Sequence, residues 1–280
     1  MISFNMFAAA PKGLKHAVAA MLLGSSLLLT QPAAATTVQV KTSLGDIEIN
    51  LFDKGTPKTV ANFLAYVNDS PSAYANNVVH RSAPGFVIQT GGYSYAGSLP
   101  LLAVAAKPAV ANEPVYSNVR GTIAMAKTAS DPNSATSQWF ISLADNSANL
   151  DVQNGGFTAF GQVTAGMAVV DAIAAVNRFN LGGDFATIPL RNFTNADATA
   201  GTPPNENNLV LIQSIIVVDS NVDSAASLNP AKNTLINAPP ADDGSGDGGG
   251  GGSTGVVSLL ALGLLVLGRK TFAREPRRSN

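Results

Sequence analysis

The chain has no cysteine among its 280 residues, so disulfides, a thiol nucleophile and thiolate metal sites are excluded together. Histidine is nearly as scarce: only His16 and His80 occur, and neither a metal centre nor a catalytic triad finds its partners around them. Ser137 sits in Thr136-Ser137-Gln138 rather than in a G-x-S-x-G turn, which argues against a serine hydrolase. Charge is sparse as well, at 12% of residues with a net of −1, so the chain offers no basic field for nucleic acid. No internal repeat is present, and no metal or other cofactor is implied.

What is present starts with two ends that do not belong to a packed core. Lys12, Lys15 and His16 precede the apolar run Ala17 to Leu29, and Ala33-Ala34-Ala35 follow it. That order is a secretory signal over residues 1–35, with cleavage expected after Ala35. At the other end, residues 221–254 read as a flexible linker whose acidic, glycine-rich part runs from Asp242 to Gly252. Asp242, Asp243 and Asp247 lack the spacing of a calcium loop. Residues 255–280 then combine the apolar stretch Val256 to Leu267 with Arg269, Lys270, Arg274, Arg277 and Arg278.

Basic residues after an apolar stretch favour the cytoplasmic side of a membrane, which would leave the main domain outside. The stretch is shorter than the ~20 residues that span a hydrocarbon core. The tail resembles bacterial C-terminal sorting signals of the GlyGly type, in which a rhomboid-like intramembrane protease cuts near the glycines. A simple C-terminal anchor is the alternative. Either way the sequence predicts an exported, periplasmic or cell-surface protein.

The middle, residues 36–220, reads as one domain. Val38, Val40 and Thr42 alternate before Leu44-Gly45, and Ile47, Ile49 and Leu51 alternate after it, the pattern of a hairpin with one buried face. Thr56-Pro57 opens a helix with Thr as N-cap, and Val60, Phe63, Leu64 and Val67 fall on one side of it. Short apolar segments separated by Gly, Asn and Pro follow, which predicts an all-β barrel or sandwich. A second helix carries Met167, Val170, Ile173 and Ala174 inward, and Asn180 to Asn208 is expected as a long irregular excursion before a last strand, Leu209 to Asp219.

Three blocks in this domain carry a family resemblance. The stretch Val79-His80-Arg81-Ser82-Ala83-Pro84-Gly85-Phe86-Val87-Ile88-Gln89-Thr90-Gly91-Gly92 resembles the FHRxxPGFxxQxGG signature of cyclophilins. Arg120 to Ala126 and Ser134 to Ile141 resemble their second and third blocks, and Asn149-Leu150-Asp151 with Phe160-Gly161-Gln162-Val163 extend the likeness. The resemblance, nearest to bacterial periplasmic members, implies a closed eight-stranded antiparallel β-barrel of cyclophilin type capped by two α-helices. It also implies a peptidyl-prolyl cis-trans isomerase acting, as a monomer, on proline-containing polypeptides.

Carried over by position, Arg81 would be the catalytic arginine, Phe86 and Val87 the floor of a proline pocket, and Gln89 an amide that binds substrate backbone. Ala126 and Lys127 would border the bound peptide, and Gln138, Phe140 and Leu150 would complete the pocket. Asn149 stands where the family has an aromatic residue, and Phe157 stands where His or Tyr is usual. Those departures predict altered sequence preference and weak cyclosporin binding. A non-catalytic proline-peptide-binding or chaperone module is the competing expectation. His80 is expected to be a packed residue rather than a catalytic one.

Overall fold

The computed structural model describes residues 36–220 and 228–237. The expected export signal, the expected apolar tail and much of the expected linker lie outside them. Among the described residues no helix is long and apolar enough to cross a membrane.

The opening alternation forms the expected hairpin. β1 (Thr37–Thr42) and β2 (Gly45–Leu51) pair antiparallel with Thr42 opposite Gly45, burying Val38, Val40, Ile47 and Ile49 while Lys41, Asp46 and Glu48 face solvent. α1 (Pro57–Val67) then covers the sheet with Val60, Phe63 and Val67. Thr56 stands at the N-cap as expected but makes no capping bond through its side chain, and its hydroxyl donates back to the Phe52 carbonyl at 3.2 Å. The Glu113 carboxylate, from a distant loop, accepts instead from Thr59 N at 2.9 Å, Thr59 Oγ1 at 2.8 Å and Lys58 N at 3.3 Å. A negative charge there satisfies otherwise unpaired amides and complements the helix dipole.

Next come β3 (Asn77–Val78), β4 (Arg81–Ala83), β5 (Val87–Thr90), β6 (Tyr93–Ser94), β7 (Leu102–Ala103), β8 (Thr122–Met125) and β9 (Trp139–Ser142). They are followed by α2 (Ser147–Leu150), β10 (Ala159–Ala165), α3 (Met167–Ala175), β11 (Arg178–Phe179), β12 (Ile188–Pro189), α4 (Asn195–Ala200) and β13 (Leu211–Asp219). α3 buries Val170 and Ile173 as its spacing predicts, with Met167 and Ala174 partly covered.

The closed eight-stranded barrel is not what the pairing shows. The sheet has eleven strands in the order β4-β5-β9-β8-β10-β2-β1-β13-β3-β6-β7, all pairs antiparallel, and forms a strongly curled half-barrel. β11 pairs only with β12. The count exceeds eight because β3, β6 and β7 are two residues long, too short to display any period in a sequence. The curl is evident at one place: β3 pairs with β13 and β4 with β5, yet only Val79 and His80 separate β3 from β4.

Two further expectations are amended. α2 and α4 join the two predicted helices, and the Asn180–Asn208 excursion is not irregular throughout. It holds β12 and α4, the latter with a reciprocal Thr194–Asp197 capping box. Phe179, Ile188, Leu190, Phe193 and Leu209 form an apolar cluster of their own against Val78 and Leu211.

The main core lies inside the curl and includes Ile49, Phe63, Ile123, Met125, Trp139 and Phe160. Phe63, fully buried, stands 5.3 Å from Phe160, 5.5 Å from Tyr74 and edge-on to Trp139 at 5.7 Å, measured between ring centroids. Phe63→Ala is expected to cost about 3–5 kcal/mol, read as a lower urea midpoint with an unchanged slope. A loss under about 1 kcal/mol would contradict the placement of this ring at the centre of the core.

Candidate active site

Residues directly opposite on neighbouring antiparallel strands point to the same face. Arg81 on β4 lies opposite Gln89 on β5, Gln89 opposite Phe140 on β9, Phe140 opposite Ala124 on β8, and Ala124 opposite Ala159 on β10. The neighbouring row, Ile88, Ile141 and Ile123, belongs to the core inside the curl. Period two therefore gives this part of the sheet two apolar faces. Arg81 and Gln89 stand on the outer one.

That outer face carries a second apolar cluster of Phe52, Val87, Tyr116, Ala124, Ala126, Phe140, Leu150, Phe157 and Ala159, with Phe86 packed against it. Val87, Ala126, Phe140, Leu150, Phe157 and Phe86, picked out by motif, thus come together. Phe157 meets Phe140 edge-on at 5.8 Å. Phe86 is fixed through its carbonyl, which accepts from Leu143 N at 2.8 Å and Asn146 Nδ2 at 2.9 Å. Asn149 does not join them: it is exposed on α2, beside buried Leu150.

Polar groups line the same region. Gln89 Nε2 donates to Gln138 Oε1 at 2.7 Å, which leaves the buried Gln89 Oε1 without a partner among the described residues. Arg81 Nη1 is likewise buried and unpartnered. Burial lowers the Arg81 pKa, and the guanidinium remains charged near neutrality. Gly91 brings Gln138 into range, because the chain approaches so closely there that a Cβ would sit 2.3 Å from the Ser137 carbonyl oxygen.

Lys127 does not offer its charge to the groove. It is 2% exposed, its ammonium donates to Asn154 O at 2.8 Å and Gly156 O at 2.6 Å, and it lies 4.6 Å from the centre of the Phe157 ring. It pins the loop between Leu150 and Phe157. Burial pushes its pKa down to about 8, opposed by the Asp131 carboxylate.

His80 is 2% exposed and meets Tyr93 edge-on at 5.2 Å. Burial pushes its pKa down to about 4, against the opposing pull of Asp184, the Val78 backbone and the Gln138 side chain. The imidazole is packed, as expected of it. Tyr93 donates to the Asp184 carboxylate, and burial followed by this bond raises its pKa.

Motif reading missed the supports of the site. Phe52, Tyr116, Ala124 and Ala159 belong to the outer cluster, and alternation along β8 and β10 is the one signal that could have found the two alanines. Asp151, fully buried, accepts from Ser117 Oγ, from Asn118 N at 2.8 Å and from Asn118 Nδ2 at 2.9 Å. Asn118 Nδ2 also reaches the Phe157 carbonyl at 3.0 Å. No local pattern predicts a contact between residues so far apart.

A strongly curled antiparallel sheet with an arginine and an amide beside an outward apolar cluster points to a class. Residues 37–193 match the family described as cyclophilin type peptidyl-prolyl cis-trans isomerase/CLD, and the chain belongs to that family. It is 41% identical over 158 residues to a peptidyl-prolyl cis-trans isomerase of Acinetobacter baylyi, covering 56% of this chain and 81% of that one. It is 43% identical over 176 residues to peptidyl-prolyl cis-trans isomerase A of Dickeya dadantii, covering 60% and 88%. A crystal structure of a Cryptosporidium parvum cyclophilin-type isomerase aligns with a TM-score of 0.48 at 21% identity, over 66% of this chain and 99% of that one.

Two titrations test this electrostatic picture. By NMR the His80 ring should stay neutral until the pH nears about 4, and stability relative to His80→Gln should fall as the pH drops from 6.5 toward that value, because the unfolded chain takes up the proton first. An imidazole titrating near 6.5 would contradict its burial. For Lys127 the cost of the buried charge is complete below about pH 8 and fades as the pH rises toward 10.5. Stability relative to Lys127→Met should therefore rise across that window, and a flat difference would show the ammonium to be solvated.

Proposed function

We propose that this isomerase acts on proline-containing segments of exported polypeptides, using Arg81 as the catalytic group and the outer apolar cluster as the proline pocket. Turning an X-Pro bond breaks amide resonance over a barrier of ~18–20 kcal/mol, and no bond to a substituent is made or cut. The enzyme must hold the ring, let the preceding carbonyl swing and favour the twisted amide over the planar one. Phe86, Phe140 and Leu150 grip the ring and exclude water, with Val87 and Phe157 behind them.

In the twisted amide the prolyl nitrogen becomes pyramidal and accepts a hydrogen bond. A guanidinium aimed there gains strength only as the twist develops, which is the selectivity that catalysis needs. The observation that carries this reading is the buried, unpartnered Arg81 Nη1 on the same face as the pocket. Gln89, with an amide oxygen in the same condition, is suited to a backbone N–H of the bound peptide. Ala126 and Gln138 flank the peptide path. Asn149, exposed where an aromatic would add apolar contact, narrows the grip on large ligands, so weak cyclosporin binding follows.

Export and tethering rest on the sequence at the two ends, and a mass spectrum of the protein from cells should show a mature N-terminus at Thr36. A chain still starting at Met1 would contradict export by this signal. For the chemistry, one charge-assisted hydrogen bond is worth ~1.5–3 kcal/mol, so Arg81→Ala should lower kcat/KM on an X-Pro peptide by roughly 10- to 100-fold. Binding of an unreactive proline peptide should change little. Equal turnover in wild type and variant would remove Arg81 from the mechanism.

A further inference from the structure

Part of the segment expected to be a flexible linker is docked. Leu228–Asn237 lies beyond residues 37–193, which match the family. It pairs antiparallel with the chain before β8: Lys232 bridges Tyr116, Ser117 N donates to Ala231 O at 2.9 Å, and Asn233 N donates to Val115 O at 3.0 Å. The Lys232 ammonium sits 4.0 Å from the centre of the Tyr116 ring, and Leu228 packs on the outer apolar cluster.

Where this segment points matters more than that it docks. Asn233 Nδ2 donates to the Asp151 carbonyl at 2.9 Å, while its Oδ1 accepts from Leu235 N and Ile236 N, both at 3.0 Å. The turn so formed brings Ile236 against Gly156, where a Cβ would lie 3.3 Å from Ile236 Cδ1. Asp151 and Gly156 are the two ends of the loop that joins Leu150 to Phe157, and Phe157 N closes that loop on the Leu150 carbonyl at 2.7 Å. Lys127 grips the same loop from within, and Asn112 Nδ2 holds the Gly155 and Gly156 carbonyls at 2.7 and 2.8 Å. At the Leu150 end, Ser117 and Asn118 hold the Asp151 side chain, and the C-terminal segment adds a hold on its carbonyl.

We propose that Leu228–Asn237 is an intramolecular strap, with Asn233 as a positioning residue that sets Leu150 and Phe157 and so tunes the affinity of the groove for proline. This rests on the isomerase reading of the groove. The strap touches no reacting atom, so it acts on ring binding and not on the twist.

The test uses the full chain and a short X-Pro peptide. Asn233→Asp keeps an oxygen that can form the turn but sets an acceptor against the Asp151 carbonyl in place of the donor, so it breaks the grip while the turn remains possible. It is expected to raise KM about three- to tenfold with kcat within about twofold, the effect of one lost hydrogen bond on binding alone. The Kd for an unreactive proline peptide should rise by the same factor. The Phe157 and Gly156 amides should exchange faster with solvent while those of β5 do not. Thr234→Ala, exposed within the strap, should match wild type.

An unchanged KM in Asn233→Asp, with the wild type active, overturns the strap and leaves the isomerase reading standing. A proportionate fall in kcat or in global stability assigns Asn233 a merely structural role and overturns it too. A wild type with neither turnover nor proline-peptide binding overturns the groove reading and the strap together.

Discussion

The structure depends on one constraint, that successive residues of a β-strand point to opposite sides. On β5, β8 and β9 this lets a single stretch of backbone serve two apolar clusters. Ile88, Ile123 and Ile141 fill the inside of the curl and hold the sheet together. One residue along each strand, Gln89, Ala124 and Phe140 face outward to the second cluster. A slip of one residue in register would exchange the two sets, so the integrity of the core and the geometry of the site are a single property.

How much of this could be read beforehand follows from range. The β1–β2 hairpin, α1 and α3 were legible because their periods repeat over several residues, and Val38, Val40, Phe63 and Val170 fall where those periods put them. Of the outer cluster, Val87, Ala126, Phe140, Leu150 and Phe157 were legible through motif and Phe52 and Tyr116 were not, while Asn149 faces solvent and Lys127 turns inward. What was not legible is set by partners far away in the chain. Glu113 in place of Thr56 at the start of α1, the anchoring of Asp151 by Asn118, and the docking of residues 228–237 have no local signature. Strands of two residues have none either.

Lys127 shows how a residue chosen for one reason can matter for another. Position in the motif suggests a contact with bound peptide, yet its ammonium is turned into the protein and spent on two carbonyls and a ring face. A lysine is well suited to this, since a long apolar stem can cross a greasy layer and a compact charge can satisfy several acceptors at its end. Phe157, which lacks the hydrogen-bonding group usual at its position, gains a cation under its ring instead. The pocket wall is stiffened from behind.

β4 is the last strand at one end of the sheet, but Ser82 N donates to the Thr187 carbonyl at 3.0 Å, so the excursion lies along the flank that would otherwise be bare. An uncovered strand flank recruits other extended chains by backbone pairing. For a protein that acts on proline-containing polypeptides, that pairing would compete with release. With Thr187 on it, the β4 flank is closed to such pairing at Ser82.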